Sequence, residues 1–172
     1  EQMLFSDKTY SYGGGVIYSY LSHPDNNDIT LTKAWDDSSI TPKEIVDQVL
    51  SWKQAAINER RYGPFQIYIP TAYETVLDQD YDVSGASAQT IRERILKISG
   101  IRGITVSDTL AADNIIFVEM RPDVVRLVKG MPLQNVEWSS EGGMTTHYKV
   151  MTIQVPQIRS DYNGNCGVFH IA

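Results

Sequence analysis

The most regular hydrophobic pattern in the chain begins at Ile45. Ile45, Val46, Val49, Leu50, Trp52, Ala56 and Ile57 recur at helical spacing and form a broad apolar stripe, the pattern of a helix buried along one side. Thr41-Pro42-Lys43-Glu44 immediately before it reads as a capping box. The Thr41 hydroxyl can accept from the amide three residues on, Glu44 can reach back to the Thr41 amide, and Pro42 occupies the first helical position, where no amide is needed. Gly63-Pro64 is expected to stop this helix. A short helix is expected over 71–78, with Tyr73, Val76 and Leu77 apolar. Another is expected over 88–98, with Ile91, Ile95 and Ile98 on one face and Gly100 as its terminator.

Strand patterns surround these helices. Phe65-Gln66-Ile67-Tyr68-Ile69 alternates and is ended by Pro70. Residues 16–21 and 29–35 read as extended, separated by the turn formers His23-Pro24-Asp25-Asn26-Asn27-Asp28. Gly13-Gly14-Gly15 reads as a hinge or turn, and residues 1–12 show no clear period. A polar loop is expected over 81–87. Later strands are expected over 103–107, 114–120, 124–128, 133–139 and 145–156. In the last of these, Tyr148, Val150, Thr152 and Gln154 alternate with Lys149, Met151, Ile153 and Val155, giving one largely apolar face and one mixed face. Glu141-Gly142-Gly143 suits the turn between the two long strands. Helices and strands mixed first, then mostly strands, favour an α+β architecture over a repeating βαβ sheet.

The length of 172 residues allows one domain with a sizeable core, or one domain and part of a second. Hydrophobic residues at 42% and charged residues at 21% suit a globular protein. No apolar run reaches the roughly 18 residues of a membrane-spanning helix. Residues 1–20 lack the basic-then-apolar order of a signal peptide, and the absence of Met at position 1 suggests a processed or truncated chain. The single cysteine, Cys166, excludes an intramolecular disulfide, speaks against a Cys-based zinc site within one chain, and fits a reducing intracellular setting. A net charge of -6 argues against a surface that coats nucleic acid. The basic residues at Arg60-Arg61 and within 92–97 read as solvated helix faces among acids. Ten tyrosines against four phenylalanines fit an interface and half-buried strand positions equally well.

Few residues of this chain stand in a pattern suited to chemistry. His23 sits in a turn, His147 within a strand and His170 near the terminus, and no spacing places any of them beside a nucleophile. Neither the Gly-x-Ser-x-Gly elbow of a serine hydrolase nor the His-Glu-x-x-His helix of a zinc protease occurs. Cys166 has no local base. Asp161-Tyr162-Asn163-Gly164-Asn165 opens like a calcium loop, but Cys166 and Ala172 stand where that loop needs Gly and Glu, so a tight turn is expected. Asp78, Asp80 and Asp82 alternate as a hard-cation site could, but nothing nearby supplies apolar shielding, so a solvated loop tip is expected. No catalytic, cofactor-binding or metal-binding residue is assigned.

What remains is an ordered series of segments. Thr41-Pro42-Lys43-Glu44-Ile45, then Gly63 through Pro70 with Tyr73-Glu74-Thr75-Val76-Leu77, resembles the middle of encapsulin-like shell proteins and of phage major capsid proteins of the Hong Kong 97 type. Ile91-Arg92-Glu93-Arg94-Ile95-Leu96 followed by Gly103-Ile104-Thr105-Val106-Ser107 is similar to their second helix and next strand. Asp123-Val124-Val125-Arg126-Leu127-Val128-Lys129-Gly130, Val136-Glu137-Trp138, Gly142-Gly143, the run from Tyr148 to Pro156 and Gly167-Val168 continue the likeness to the end. The resemblance spans nearly the whole chain and rests on order, not on a chemical signature.

The resemblance implies an axial domain over 13–132 and strands of a peripheral domain over 133–172, with 1–12 as a junction. The family's N-terminal arm, extended loop and spine helix would precede position 1. It implies a non-enzymatic structural subunit of an icosahedral tailed-phage or prophage capsid, self-assembling through pentamers and hexamers around DNA. The expected partners are its own copies, with scaffolding protein and non-specifically packaged DNA beside them. No membrane, small-molecule substrate, cofactor or metal is implied. The expected location is the virion, after synthesis in the host bacterial cytoplasm. The alternative within the resemblance is an encapsulin-type bacterial nanocompartment shell. An alternative of another class is a small hydrolase or metal enzyme using Asp78, Asp80, His147 or Cys166, which requires those side chains to converge in one pocket.

Overall fold

The computed structural model describes residues 3–82 and 89–172. In chain order its elements are β1 (Tyr10–Tyr12), β2 (Gly15–Ile17), β3 (Asn27–Ile29), α1 (Pro42–Asn58), β4 (Phe65–Ile69), a 3-10 turn (Thr71–Tyr73) leading into α2 (Glu74–Leu77), α3 (Ile91–Leu96), β5 (Ile101–Val106), β6 (Ile115–Glu119), β7 (Val125–Ser140), β8 (Thr145–Ile158) and β9 (Val168–Ile171). Helices and strands mix as the α+β expectation has it. A five-stranded sheet has the order β3-β9-β6-β4-β5. Its centre, β9-β6-β4, is antiparallel, and each outer strand runs parallel to its neighbour.

The alternation of side chains divides the interior into two cores. Ile115 and Phe117 of β6, Phe65, Ile67 and Ile69 of β4, and Phe169 and Ile171 of β9 face the helices. Ile116, Val118 and Val168 face the opposite side, where Phe5, Tyr20, Leu110, Val124 and Cys166 cover them. Both faces of β6 are therefore buried, and its sequence is a continuous apolar run instead of an alternation. At its end Glu119 is buried as well. Its carboxylate accepts from the Gly63 amide at 3.0 Å and lies 3.6 Å from the Arg61 guanidinium, which in turn donates to the Asn165 carbonyl at 2.7 Å. A buried carboxylate needs such partners, because an unpaired one costs several kcal/mol, on the order of 3–5.

Helix α1 begins as expected. The Thr41 hydroxyl accepts from the Glu44 amide at 3.3 Å, and the Glu44 carboxylate accepts from the Thr41 amide at 2.6 Å. Those bonds hold the Glu44 carboxyl below its ordinary pKa. An N-cap contributes about 1 kcal/mol, whereas each fully buried aliphatic side chain contributes about 1.5–3 kcal/mol. The stripe of Ile45, Val46, Val49, Trp52 and Ala56 thus holds α1 in place, and the cap sets where it starts. The helix ends before Gly63. Arg60 adopts φ 59°, and the Arg61 amide turns back to the Ala56 carbonyl at 2.8 Å.

Several expected boundaries shift, each for a reason of packing. Tyr10–Tyr12 pairs with Gly15–Ile17 through the positive-φ pair Gly13 and Gly14, so residues 1–12 contain a strand, and the strand expected over 16–21 stops at Ile17. β3 lies at Asn27–Ile29, inside the turn-forming run, because β9 is there to pair with it. Past Leu31 the backbone turns away, and Trp35 is buried by stacking on Trp52 at 5.7 Å. α3 starts at Ile91, after Thr90 accepts from the Glu93 amide, and ends at Leu96. Ile98 still reaches the core from the turn that follows. Ala88 and residues 83–87 of the expected loop lie outside the described residues.

The strands expected over 124–128 and 133–139 are one strand, β7, with register irregularities at Lys129/Met131 and Met131/Gln134. These fall around Pro132, which has no amide to give to the ladder. The expected division of the chain at 132/133 therefore falls inside β7. β9 joins the central sheet, apart from the hairpin, because Phe169 and Ile171 are needed beside Phe117 and Ile115.

Two substitutions test this description by urea unfolding. A Cβ on Gly167 would stand 2.8 Å from Val124 Cγ1 and 3.2 Å from Glu119 Cβ, so Gly167→Ala should destabilise the fold by about 1–3 kcal/mol. Arg60 is exposed and holds a left-handed conformation, so Arg60→Gly should stabilise it by about 0.5–1 kcal/mol. An unchanged midpoint in either variant would contradict the geometry given above.

Candidate assembly surface

The residues with chemical potential are dispersed and occupied. His170 Nε2 lies 2.6 Å from Asn114 Oδ1 and its Nδ1 lies 3.1 Å from Asp28 Oδ1, so the imidazole ties β9 to β3 and to the residue before β6. His23 Nδ1 accepts from the Asp25 amide at 3.2 Å. Burial pushes the His23 pKa down, with Asp25 acting in the opposite sense. Cys166 is fully buried in the second core, and that burial raises its thiol pKa, so it is not poised as a nucleophile. Asp78 pairs with Arg92 at 3.1 Å, the Asp80 backbone forms an isolated antiparallel bridge with Thr90, and Asp82 is engaged as well. Asp161 Oδ1 accepts from the Asn163 and Asn165 amides at 2.8 and 2.9 Å. These bonds hold the Asp161 carboxyl below the usual range and make the tight turn that was expected.

These groups do not converge. Asp78 caps the end of α2, Cys166 lies beneath the sheet and His147 stands on the hairpin of β7 and β8. Among the described residues no group of three or more His, Cys, Asp or Glu side chains is arranged to hold a metal ion.

The hairpin has a different character. β7 and β8 pair from Val125↔Ile158 to Ser140↔Thr145 and form a sheet of their own. Cross-strand partners share a face. Trp138 opposite His147 and Val136 opposite Lys149 lie on one face, with Tyr148 opposite Glu137 and Val150 opposite Asn135 on the other. Both faces are open to solvent. Tyr148 and Val150 are each 66% exposed, Leu133 is 70% exposed, and Met144 at the turn is 91% exposed. Trp138 stacks on the His147 ring at 5.1 Å, and Ser140 Oγ holds His147 Nε2 at 2.9 Å, which fixes the tip.

A two-stranded ribbon buries too little to be stable alone in water. Long open strand edges and contiguous exposed apolar side chains mark a surface that another element covers. At the ribbon's base, β2 and the strand ends enclose a cleft of about 540 Å³. Val16, Ile17, Val128, Val155 and Pro156 form its apolar wall, with Tyr18, His23 and Arg126 at its polar rim. The alternation in 145–156 marked these residues as a strand. It did not mark both faces as exposed, because in a single sequence apolar residues on a strand signify burial in the same chain.

Comparison with known proteins gives the fold its context. The chain superposes on the virus-like particle from Pyrococcus furiosus with a TM-score of 0.66 at 21% identity, covering 89% of this chain and 58% of that one. It superposes on the capsid protein of Myoviridae phage XM1 with a TM-score of 0.65 at 8% identity, covering 89% and 52%. For Mycobacterium phage Che8 the TM-score is 0.53 at 13% identity, covering 86% and 54%. The chain thus spans a little over half the length of these structures. No curated protein matches it. A family model described as "Family of unknown function (DUF6260)" matches residues 6–171. The chain belongs to that family, and its fold is that of capsid proteins of the Hong Kong 97 type.

Proposed function

We propose that this chain is part of a structural subunit of an icosahedral tailed-phage or prophage capsid, which self-assembles into a shell around DNA. The observation that carries this reading is an apolar ribbon, exposed on both faces, projecting from a sheet-and-helix body that has the capsid fold. A tile works through its edges. In this chain many of the exposed apolar side chains lie on the hairpin, and the groups suited to catalysis are buried, paired or far apart.

In the assembled shell the body, residues 13–124 together with the closing strand β9, serves as the axial lobe around which pentamers and hexamers form. The hairpin of β7 and β8 belongs to the strand-rich peripheral lobe. Each contact between subunits can be weak, since a closed symmetric shell engages several at once. A net charge of -6 suits a container that does not grip its contents sequence-specifically. The subunit is made in the host bacterial cytoplasm and resides in the virion, with scaffolding protein as a further partner. It acts without a cofactor and is not an enzyme. A second reading, an encapsulin-type nanocompartment shell, draws on the likeness to the virus-like particle from Pyrococcus furiosus.

Electron microscopy of the full-length protein tests the proposal. Uniform closed particles are expected. Nuclease-protected nucleic acid inside them supports the capsid, and an enzyme cargo without nucleic acid supports the nanocompartment. A monomer that persists across concentration, salt and pH overturns both.

A further inference from the structure

The hairpin has unlike ends. Its tip, residues 137–148, carries Glu137 and Glu141 and no Lys or Arg, a formal charge of 0 − 2 = −2 with His147 neutral. The facing length of β7 nearer the body, residues 125–136, carries Arg126 and Lys129 and no acid, a formal charge of +2 − 0 = +2. The tip also presents Tyr148, 66% exposed, on the face of Glu137, with Met144, 91% exposed, at the turn. The base holds the cleft between β2 and the strand ends, walled by Val16, Ile17, Val128, Val155 and Pro156, with Arg126 at its rim. Near that rim, Asp25 is bound to the Ser160 hydroxyl at 2.5 Å, and Arg126 Nε donates to Gln157 at 2.7 Å. The Gln157 bond holds the guanidinium in place, and no carboxylate among the described residues pairs with it.

We infer that the hairpin tip of one copy docks in the base cleft of a second copy. The inference rests on the shell reading and names the contact by which that assembly would propagate. Met144 and Tyr148, which shares a face with Glu137, meet the apolar wall, and Glu137 approaches Arg126, so apolar surface meets apolar surface and opposite charges meet. The contact is between copies by necessity. β8 has 14 residues, and at about 3.3 Å per residue the tip stands about 45 Å from its own base. Tip and cleft are different surfaces, so the contact is head-to-tail. Repeated by rotation, it closes rings and shells.

Cysteine cross-linking in the full-length protein tests this. Met144→Cys and Val16→Cys are made separately and together. The native Cys166 is fully buried and does not compete. On mild oxidation the double variant should form a ladder of disulfide-linked oligomers on non-reducing gels, and each single variant should run as one chain. Dimers from either single variant would show a symmetric tip-to-tip or base-to-base contact and overturn the inference. No ladder from a double variant that still forms particles under the electron microscope would also overturn it, leaving the shell reading intact. Absence of particles from the unmodified protein would count against the shell reading instead. As a second arm, Arg126→Glu in the double-cysteine background should lower the cross-link yield about five- to tenfold at low salt. Adding Glu137→Arg should restore it, and failure to restore it counts against the pairing.

Discussion

The organisation of this protein follows from β6, whose five residues have no contact with water. A strand buried on both faces must be covered on both, and much of each cover is distant in sequence. Its hydrogen-bonding neighbours, β4 at Phe65–Ile69 and β9 at Val168–Ile171, lie on either side of it in the sequence and distant from it. On one face α1, α3 and Trp35 close over Ile115 and Phe117. On the other, the N-terminal segment with Phe5 and Tyr20 closes over Ile116 and Val118. The buried Glu119 at the end of β6 ties the loop after α1 to the approach to β9 through Gly63 and through Arg61, which reaches the Asn165 carbonyl. A carboxylate there specifies which ends meet, since only a partnered charge is tolerated in that position.

The same requirement explains why the polar groups that invite a catalytic reading do structural work. His170 joins three segments of the sheet by its two ring nitrogens. Asp161 satisfies the amides of a tight turn that lets Cys166 and Gly167 pack beneath Val124 and Glu119. Gly167 is required because a side chain there would overlap Val124. Groups committed to holding a backbone are not available, in the same arrangement, to move protons in a cleft.

The hairpin answers to another balance. Its backbone bonds are satisfied within the ribbon, but its apolar side chains are not buried on either face. In the body, apolar surface is removed from water by the chain itself. In the ribbon, its removal depends on something outside the ribbon.

The residues by themselves determined the elements whose signals are local. The capping box at Thr41, the apolar stripe of α1, the alternation of β4 and the apolar run of β6 are readable because capping, periodicity and strand propensity act over a few residues. The order of such segments carried the likeness to capsid proteins, and with it the α+β class. Tertiary structure decided what depends on distant partners. β3 lies where β9 can pair with it, α1 ends at the left-handed Arg60 before reaching Gly63, and β7 runs through Pro132 because β8 holds it there. It also decided that the hairpin's apolar residues face outward. An alternating pattern records that a side chain is apolar, but the element that covers it, whether its own chain or another copy, is set by the packing of the whole.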